Sequence, residues 1–378
     1  MKIVIASDSY KETLTSRQVG EAAKEGLGRV LDAEIIVCPM ADGGEGTMRA
    51  LVDASGGEVV TANVSDPFGN FLEAPYGISG DGSTAVIEMA AASGIQHTTA
   101  ETRDPTITST FGTGQLISHA LRQGVRSFII GLGGSATNDA GAGMLQALGV
   151  SFTDENGEEL APGGASLSHL AQIDTSGMDP RIKQSHFRIA CDVDNPLIGD
   201  DGASAIYGPQ KGASREDIAL LDRALANFAT VAGGQVERDI VHTPGAGAAG
   251  GMGAAFLGYF PCSLEKGAAI VADVTQLKKH MEDADIVITG EGGINHQTVF
   301  GKTPVYVAKM AKENTPPLPV IALCGSVEEG YETVFDAGID AVFSTVAGPA
   351  DLEELKRVSF QNVTQTAENV ARLMKLQR

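Results

Sequence analysis

Tryptophan is absent from the chain, aromatic residues make up only 5% of it, and positive charge is scarce. There are 27 lysines and arginines against 48 aspartates and glutamates, a formal net charge of −21. That deficit argues against nucleic acid or an anionic membrane as a partner. The four cysteines, Cys38, Cys191, Cys262 and Cys324, lie far apart without metal-ligand spacing, each in or beside an apolar stretch. They read as buried small hydrophobes of a reducing compartment, the cytoplasm. No apolar run reaches the roughly 18–20 residues of a membrane span. Residues 2–6 are too few for a signal peptide and run into polar ones. The histidines lack the i, i+4 spacing of a zinc pair, and there is no Gly-x-Ser-x-Gly elbow for a serine nucleophile.

Glycine is abundant instead: 47 of 378 residues, where about 7% is usual. The glycines fall in short runs, which points to many tight or ligand-facing turns. The length predicts two domains, because one core rarely grows past about 250–300 residues. Apolar strand-like runs alternate with amphipathic helical ones, the pattern of an α/β protein. Strands are expected at 2–6, 34–38, 59–64, 74–78, 85–89, 128–130, 186–192, 284–289, 319–323 and 341–343. Helices are expected after a Thr15 cap, to about residue 54, and over 113–121, 140–148, 215–231, 304–312, 328–337 and 352–374. The middle of the chain is richer in strands and turns than either end. That change of texture predicts a discontinuous domain, 1–65 plus 281–378, with a second α/β domain, 66–280, inserted into it.

Residues 127–149 form the most conspicuous stretch. The apolar run Phe128-Ile129-Ile130 enters Gly131-Leu132-Gly133-Gly134-Ser135-Ala136-Thr137-Asn138-Asp139, and an Ala- and Leu-rich segment follows. Strand, glycine turn and helix together aim backbone N–H groups and a positive dipole end at an anion. The same loop fits the Gly-x-Gly-x-x-Ala form of a dinucleotide fingerprint, and Gly245, Gly247 and Gly250 repeat the pattern. In so glycine-rich a chain the match is weak, and a plain structural turn stays open for both loops. Gly301-Lys302-Thr303 ends like a phosphate-binding Walker loop, but His296 stands where its first glycine belongs. Lys302 remains a candidate ligand contact. Acidic residues recur at strand ends: Asp8, Asp42, Glu45, Asp192, Asp194 and Glu291. Such a set suits Mg²⁺ beside nucleotide phosphates, and one member could accept a proton from a hydroxyl. Lys11 and Lys211 are candidate partners for phosphate charge. Together these features are compatible with phosphoryl transfer to a small hydroxy compound.

The motifs DSYKETLTS at 8–16, ADGGEGT at 41–47, GLGGSATNDAGAGMLQALG at 131–149, ACDVDNPLIG at 190–199, GPQKGAS at 208–214, PGAGAAGGMGAA at 244–255 and ITGEG at 288–292 resemble the bacterial glycerate kinase family nearly from end to end. The resemblance implies ATP-dependent phosphorylation of D-glycerate, usually to 2-phosphoglycerate, with Mg²⁺. It also implies a flavodoxin-like domain made from both chain ends, with the second α/β domain inserted. With the acidic strand ends and the two lysines, it leads to the hypothesis that Asp42, Asp192, Lys11 and Lys211 serve catalysis and that Asp192 and Asp194 hold the metal. Substrate or phosphate would meet Asp8, Ser9, Gly43, Gly44, Glu45, Gly133, Gly134, Ser135, Thr137, Asn138 and Asp139. Gly247, Gly250, Gly251, Glu291, Asn295, Gln297 and Lys302 complete that set. The partners implied are glycerate and ATP; a homo-oligomer stays open.

The chain departs from the family where GEGRID is usual, carrying Gly293 and Asn295. Asparagine is nearly isosteric with aspartate but is neither a base nor an anion, and Gly293 removes a guanidinium. If position 295 were catalytic, Asn295→Asp would raise activity. The rivals are therefore a kinase for a related hydroxy acid, a weakly active paralogue that binds glycerate or nucleotide, and, third, an NAD-dependent dehydrogenase.

Overall fold

The computed structural model describes residues 1–376, which fold into two compact units. Of the described residues, 1–42, 49–56 and those from 267 onward form the first, and 43–48 and 57–266 the second. The expected boundaries therefore move. Glu58–Ser65 pairs along its length with Phe71–Ile78 and so belongs to the second unit, while Gly267–Val274 and Leu277–Met281 belong to the first. The ADGGEGT motif divides after Asp42. Its glycines pack with the second unit, where Met48 N donates to Glu88 at 2.9 Å.

The first unit carries a five-stranded sheet in the order Ala341–Ser344, Val320–Val327, Ile286–Ile294, Lys2–Ser7, Glu34–Val37. Every pairing is parallel. In chain order this is 2-1-3-4-5, the flavodoxin-type arrangement. The Ser16–Gly28 helix starts where expected: Thr15 accepts from Gln18 N, and the Gln18 side chain accepts from Thr15 N, a capping box. Its buried face, Val19, Ala22, Ala23 and Leu27, shares a core with Val363, Ala367, Val370 and Ala371 of the Leu352–Leu376 helix. Gly26 lets the two helices close, since a Cβ there would lie 2.1 Å from the Thr364 carbonyl oxygen. The helix expected over 328–337 shrinks to Thr333–Asp336, because the backbone turns at Gly330 with φ +79.

The second unit holds a six-stranded sheet in the order Cys262–Glu265, His186–Ala190, Ser127–Gly131, Thr84–Glu88, Phe71–Ile78, Glu58–Ser65. The first four strands run parallel and the last two pair antiparallel. A short ribbon pairs Ser151–Thr153 with Gln172–Asp174. Phe128, Phe187 and Phe256 are fully buried against one face, with Phe128 and Phe187 stacked at 4.6 Å.

The helix after the central glycine loop begins at Ala142, not at Ala140. Ala140 and Gly141 have φ of 53 and 71, so the chain turns through a left-handed step before the helix starts. The second glycine loop supplies the reason. Ala140 N donates to Gly250 O at 3.0 Å, and a Cβ on Gly250 would stand 2.0 Å from the Thr137 carbonyl oxygen. The two fingerprint-like loops are glycine-rich at these points because their backbones pack on each other.

Candidate active site

In an open parallel sheet, ligands bind beyond the carboxyl ends of the strands, where the strand order reverses. In the first unit that point lies between Lys2–Ser7 and Ile286–Ile294, with Ser7 opposite Gly290. A cavity of about 290 Å³ opens there, lined by Asp8, Lys11, Asp42, Glu291, Lys302 and Glu328, with Ser9 and Gly293 at its wall. Of these, Asp8, Ser9, Lys11, Asp42, Glu291 and Lys302 are candidates from sequence, Gly293 is known there only as a departure from the family, and Glu328 is new.

Asp8 follows the first strand and is held on both oxygens. Oδ1 accepts from Ser9 N at 2.6 Å and from Ser9 Oγ at 3.3 Å, and Oδ2 accepts from Thr303 Oγ1 at 2.9 Å. Burial pushes its pKa up to about 7, and the Asp42 charge adds to the shift. Glu291 sits where the third strand reaches the pocket. Its Oε1 accepts from Thr298 Oγ1 at 2.6 Å, and Lys302 Nζ lies 3.5 Å from Oε2. Burial raises this carboxyl too, while Thr298 and Lys302 pull it back. The arrangement puts a carboxyl with a pKa near 7 into the same cavity as two lysines. Lys11 and Lys302 can offset phosphate charge, and Asp8 can take up a proton.

The second unit treats its predicted residues differently. Gly133 and Gly134 are exposed, but Ser135, Thr137, Asn138 and Asp139 are buried. Asp139 accepts from Thr110 N at 2.9 Å, Thr110 Oγ1 at 2.8 Å, Gly141 N at 3.1 Å and Gly143 N at 3.2 Å. It thus fills the helix N-terminus that the sequence reserved for an external anion. Burial holds its carboxyl above the usual range even so. Lys211 is only 2% exposed, and its ammonium donates to the Thr137 carbonyl oxygen at 2.7 Å. Burial brings its pKa down to about 7, against the pull of Asp139. The expectation that Lys211 and Asp139 present charge to a ligand is corrected: both are enclosed and brace the central loop. Asn138 donates to Ser204 Oγ at 2.9 Å. Gly247, Gly250 and Gly251 are buried as well.

Asp192 and Asp194 are exposed beyond the His186–Ala190 strand. Lys266 Nζ reaches the Asp192 carbonyl oxygen at 3.1 Å and Asp194 Oδ1 at 3.4 Å. Among the described residues no group of three His, Cys, Asp or Glu side chains is placed to hold a metal. Two exposed carboxylates, one of them beside Lys266, suit an ion that keeps most of its waters, which is how Mg²⁺ usually binds. Gly43 and Gly44 lie against the end of the Ser127–Gly131 strand, with Gly43 O 2.6 Å from where a Cβ on Gly131 would stand, while Glu45 is exposed.

Residues 3–375 match the model of the glycerate kinase family. The chain belongs to that family. It is 49% identical to a glycerate kinase of Haemophilus influenzae, covering 99% of both chains. It is 50% identical to one from Bacillus cereus, over 100% of this chain and 98% of that one. With the glycerate 2-kinase of Escherichia coli K12 it shares 48% identity over 98% and 97% of the two chains. A crystal structure from Salmonella typhimurium LT2, of a chain proposed to be glycerate kinase 2, superposes with a TM-score of 0.92 at 47% identity, covering 100% of this chain and 98% of that one. Among the described residues no helix is long and apolar enough to cross a membrane.

Within this family frame, the residues the sequence did not flag are Glu328, Thr298 and Thr303 in the first unit, and Thr110 and Glu88 in the second. Glu328 directly follows the Val320–Val327 strand, so the strand-end rule that found Asp8 applied to it as well. The threonines gave no such signal, because their importance lies only in which carboxylate each one meets.

Proposed function

We propose that the chain transfers the γ-phosphoryl group of ATP to a hydroxyl of D-glycerate, giving 2-phosphoglycerate and ADP. The observation that carries this reading is the cavity at the strand-order reversal, which Asp8, with its pKa near 7, lines together with Lys11, Glu291 and Lys302. Membership of the glycerate kinase family supports it. In the proposed reaction the glycerate hydroxyl forms a bond to the γ-phosphorus as the bond to the β,γ-bridging oxygen breaks. Asp8 accepts the hydroxyl proton. Lys11 and Lys302 offset the charge on the phosphoryl oxygens, which is most of what a protein contributes to such a transfer.

Mg²⁺ is the natural companion of ATP in this reading. Asp192 and Asp194 of the second unit are the carboxylates that would hold it, and bound there it would supply positive charge. Asp192→Ala is then expected to raise severalfold the Mg²⁺ concentration needed for half-maximal nucleotide binding. An unchanged Mg²⁺ dependence, followed by calorimetry, removes the pair from that role.

Substrate choice is tested by ADP release with a panel of small hydroxy acids. D-glycerate is expected to give the highest kcat/KM. A higher value for tartronate or an aldonate moves the reading to a kinase for that acid, and binding without ADP release moves it to a sensor.

A further inference from the structure

Glu328 has no part in the reading above, although it lines the same cavity. Its two oxygens are both engaged. Asn295 Nδ2 donates to Oε2 at 2.9 Å, and Ser326 Oγ donates to Oε1 at 3.1 Å. Asn295 is in turn used at every polar atom of its amide. Oδ1 accepts from Gln297 N at 2.9 Å, while Nδ2 faces Glu328. Its backbone belongs to the same turn: Asn295 N donates to Thr298 Oγ1 at 3.2 Å and Thr298 N to Asn295 O at 3.0 Å. Thr298 then donates to Glu291, the partner of Lys302. A continuous set of contacts therefore runs from Glu328 through Asn295 and Thr298 to Glu291 and Lys302. Position 293 is part of it. Gly293 is opposite Ser326 in the sheet, and a Cβ there would lie 2.9 Å from Ser326 Oγ and 3.0 Å from Glu328 Oε1. The bare glycine is the space in which the Glu328 carboxylate rests.

We propose that Glu328 is a positioning residue that acts through Asn295: its carboxylate fixes the 295–298 turn that carries Thr298 to Glu291 and Lys302, and it makes an amide at position 295 obligatory in this chain. The proposal rests on the kinase reading for its kinetic readout only. An aspartate at 295 keeps the acceptor for Gln297 N but sets a second carboxylate oxygen against Glu328 at the present 2.9 Å. Two carboxylates that close share one proton, and raising the pH drives that proton off. Among the described residues, Lys302 and His296 face the pair, with Glu291 behind Thr298 and Asp8, Lys11 and Asp42 lining the same cavity. His296 is the same in parent and variant, so profiles are compared as ratios to the parent. Gly293 and Asn295 are thus one matched set with Glu328. Asn295→Asp alone is expected to lower activity, the reverse of what the isolated residue implies.

The test compares Asn295→Asp, Glu328→Gln and the double variant by ADP release from ATP and D-glycerate between pH 5.5 and 9. Asn295→Asp is expected to lose about tenfold in kcat/KM at pH 8, with the loss shrinking toward pH 5.5. Glu328→Gln alone costs about threefold or less, since its amide oxygen still accepts from Asn295. The double variant returns to within about threefold of the parent with a parent-like pH profile, because the hydrogen bond re-forms with donor and acceptor exchanged. An Asn295→Asp enzyme equal to the parent at every pH, or a double variant no better than Asn295→Asp, overturns the proposal. If the parent releases no ADP, the kinase reading fails while the pair is still decided by melting. Asn295→Asp should then melt below the parent by a margin that widens as pH rises and closes with Glu328→Gln; no such margin overturns it.

Discussion

Asp8→Asn is expected to lower kcat by about 10²–10⁴, the usual contribution of a positioned general base. The amide keeps the shape of the carboxylate and can still accept from Ser9 N, which now lies 2.6 Å from Oδ1, but it cannot take up a proton. The parent should show kcat/KM rising with pH and levelling off above about 7, the pKa to which burial and the Asp42 charge push Asp8. Below it, the rate falls as the base becomes protonated. Stability moves the other way. The Asp8 pKa is higher in the folded chain than its ordinary 3.8, so the stability that goes with the neutral carboxyl is fully present below about pH 4 and is lost as pH rises through 7. Asp8→Asn removes that loss. Its gain over the parent should grow between pH 4 and 7 to roughly 1–3 kcal/mol, allowing for the solvent that still reaches the pocket. A variant that is more stable at pH 8 and nearly inactive is the expected signature of a carboxylate held under strain for function. A variant with parent kcat would move the base elsewhere, Asp42 first.

Asp139→Ala is the second change with a large expected effect, and it acts on the fold. Four donors converge on this carboxylate, three of them backbone N–H groups. Alanine strands them in the interior and leaves the Lys211 ammonium, itself buried, without the carboxylate that supports its charge. Removing one partner from a buried charged network costs about 3–5 kcal/mol. For a unit of this size that corresponds to a melting temperature lower by about 10 °C. Hydrogen exchange should localise the loss to residues 108–145, where Thr108 donates to Ala136 O at 2.9 Å and Thr110 to Asp139. A melt within 2 °C of the parent would mean that water or a rearranged loop replaces the carboxylate.

The two sites differ in how much of them could be read from sequence, and the difference is physical. Asp8, Asp42 and Glu291 were legible because parallel strands bring their carboxyl ends to one edge, so polar residues after apolar runs converge there, whereas Lys302 stood out only through the Walker-like ending of Gly301-Lys302-Thr303. The strands themselves were legible from β-branched runs such as residues 2–6 and 286–289, and the first helix from its Thr15 cap. The glycine loops misled because their partners are distant in sequence. Nothing near Gly250 announces that its neighbour is the Thr137 carbonyl, and nothing near Asp139 announces that it will cap its own helix. Lys211 looked like a phosphate ligand for the same reason, since its acceptor is 74 residues away. Gly293 and Asn295 looked like two losses until Glu328 supplied the contact that connects them.

The central claim, phosphoryl transfer to glycerate, is tested most directly by ³¹P NMR of the reaction of D-glycerate, ATP and Mg²⁺ with the parent chain. The account predicts loss of the ATP γ resonance, growth of ADP, and a monoester resonance split by a single proton, the pattern of phosphate on carbon 2. A monoester coupled to two protons would place the phosphate on carbon 3. ATP left intact, or inorganic phosphate as the sole new resonance beside ADP, would contradict the account.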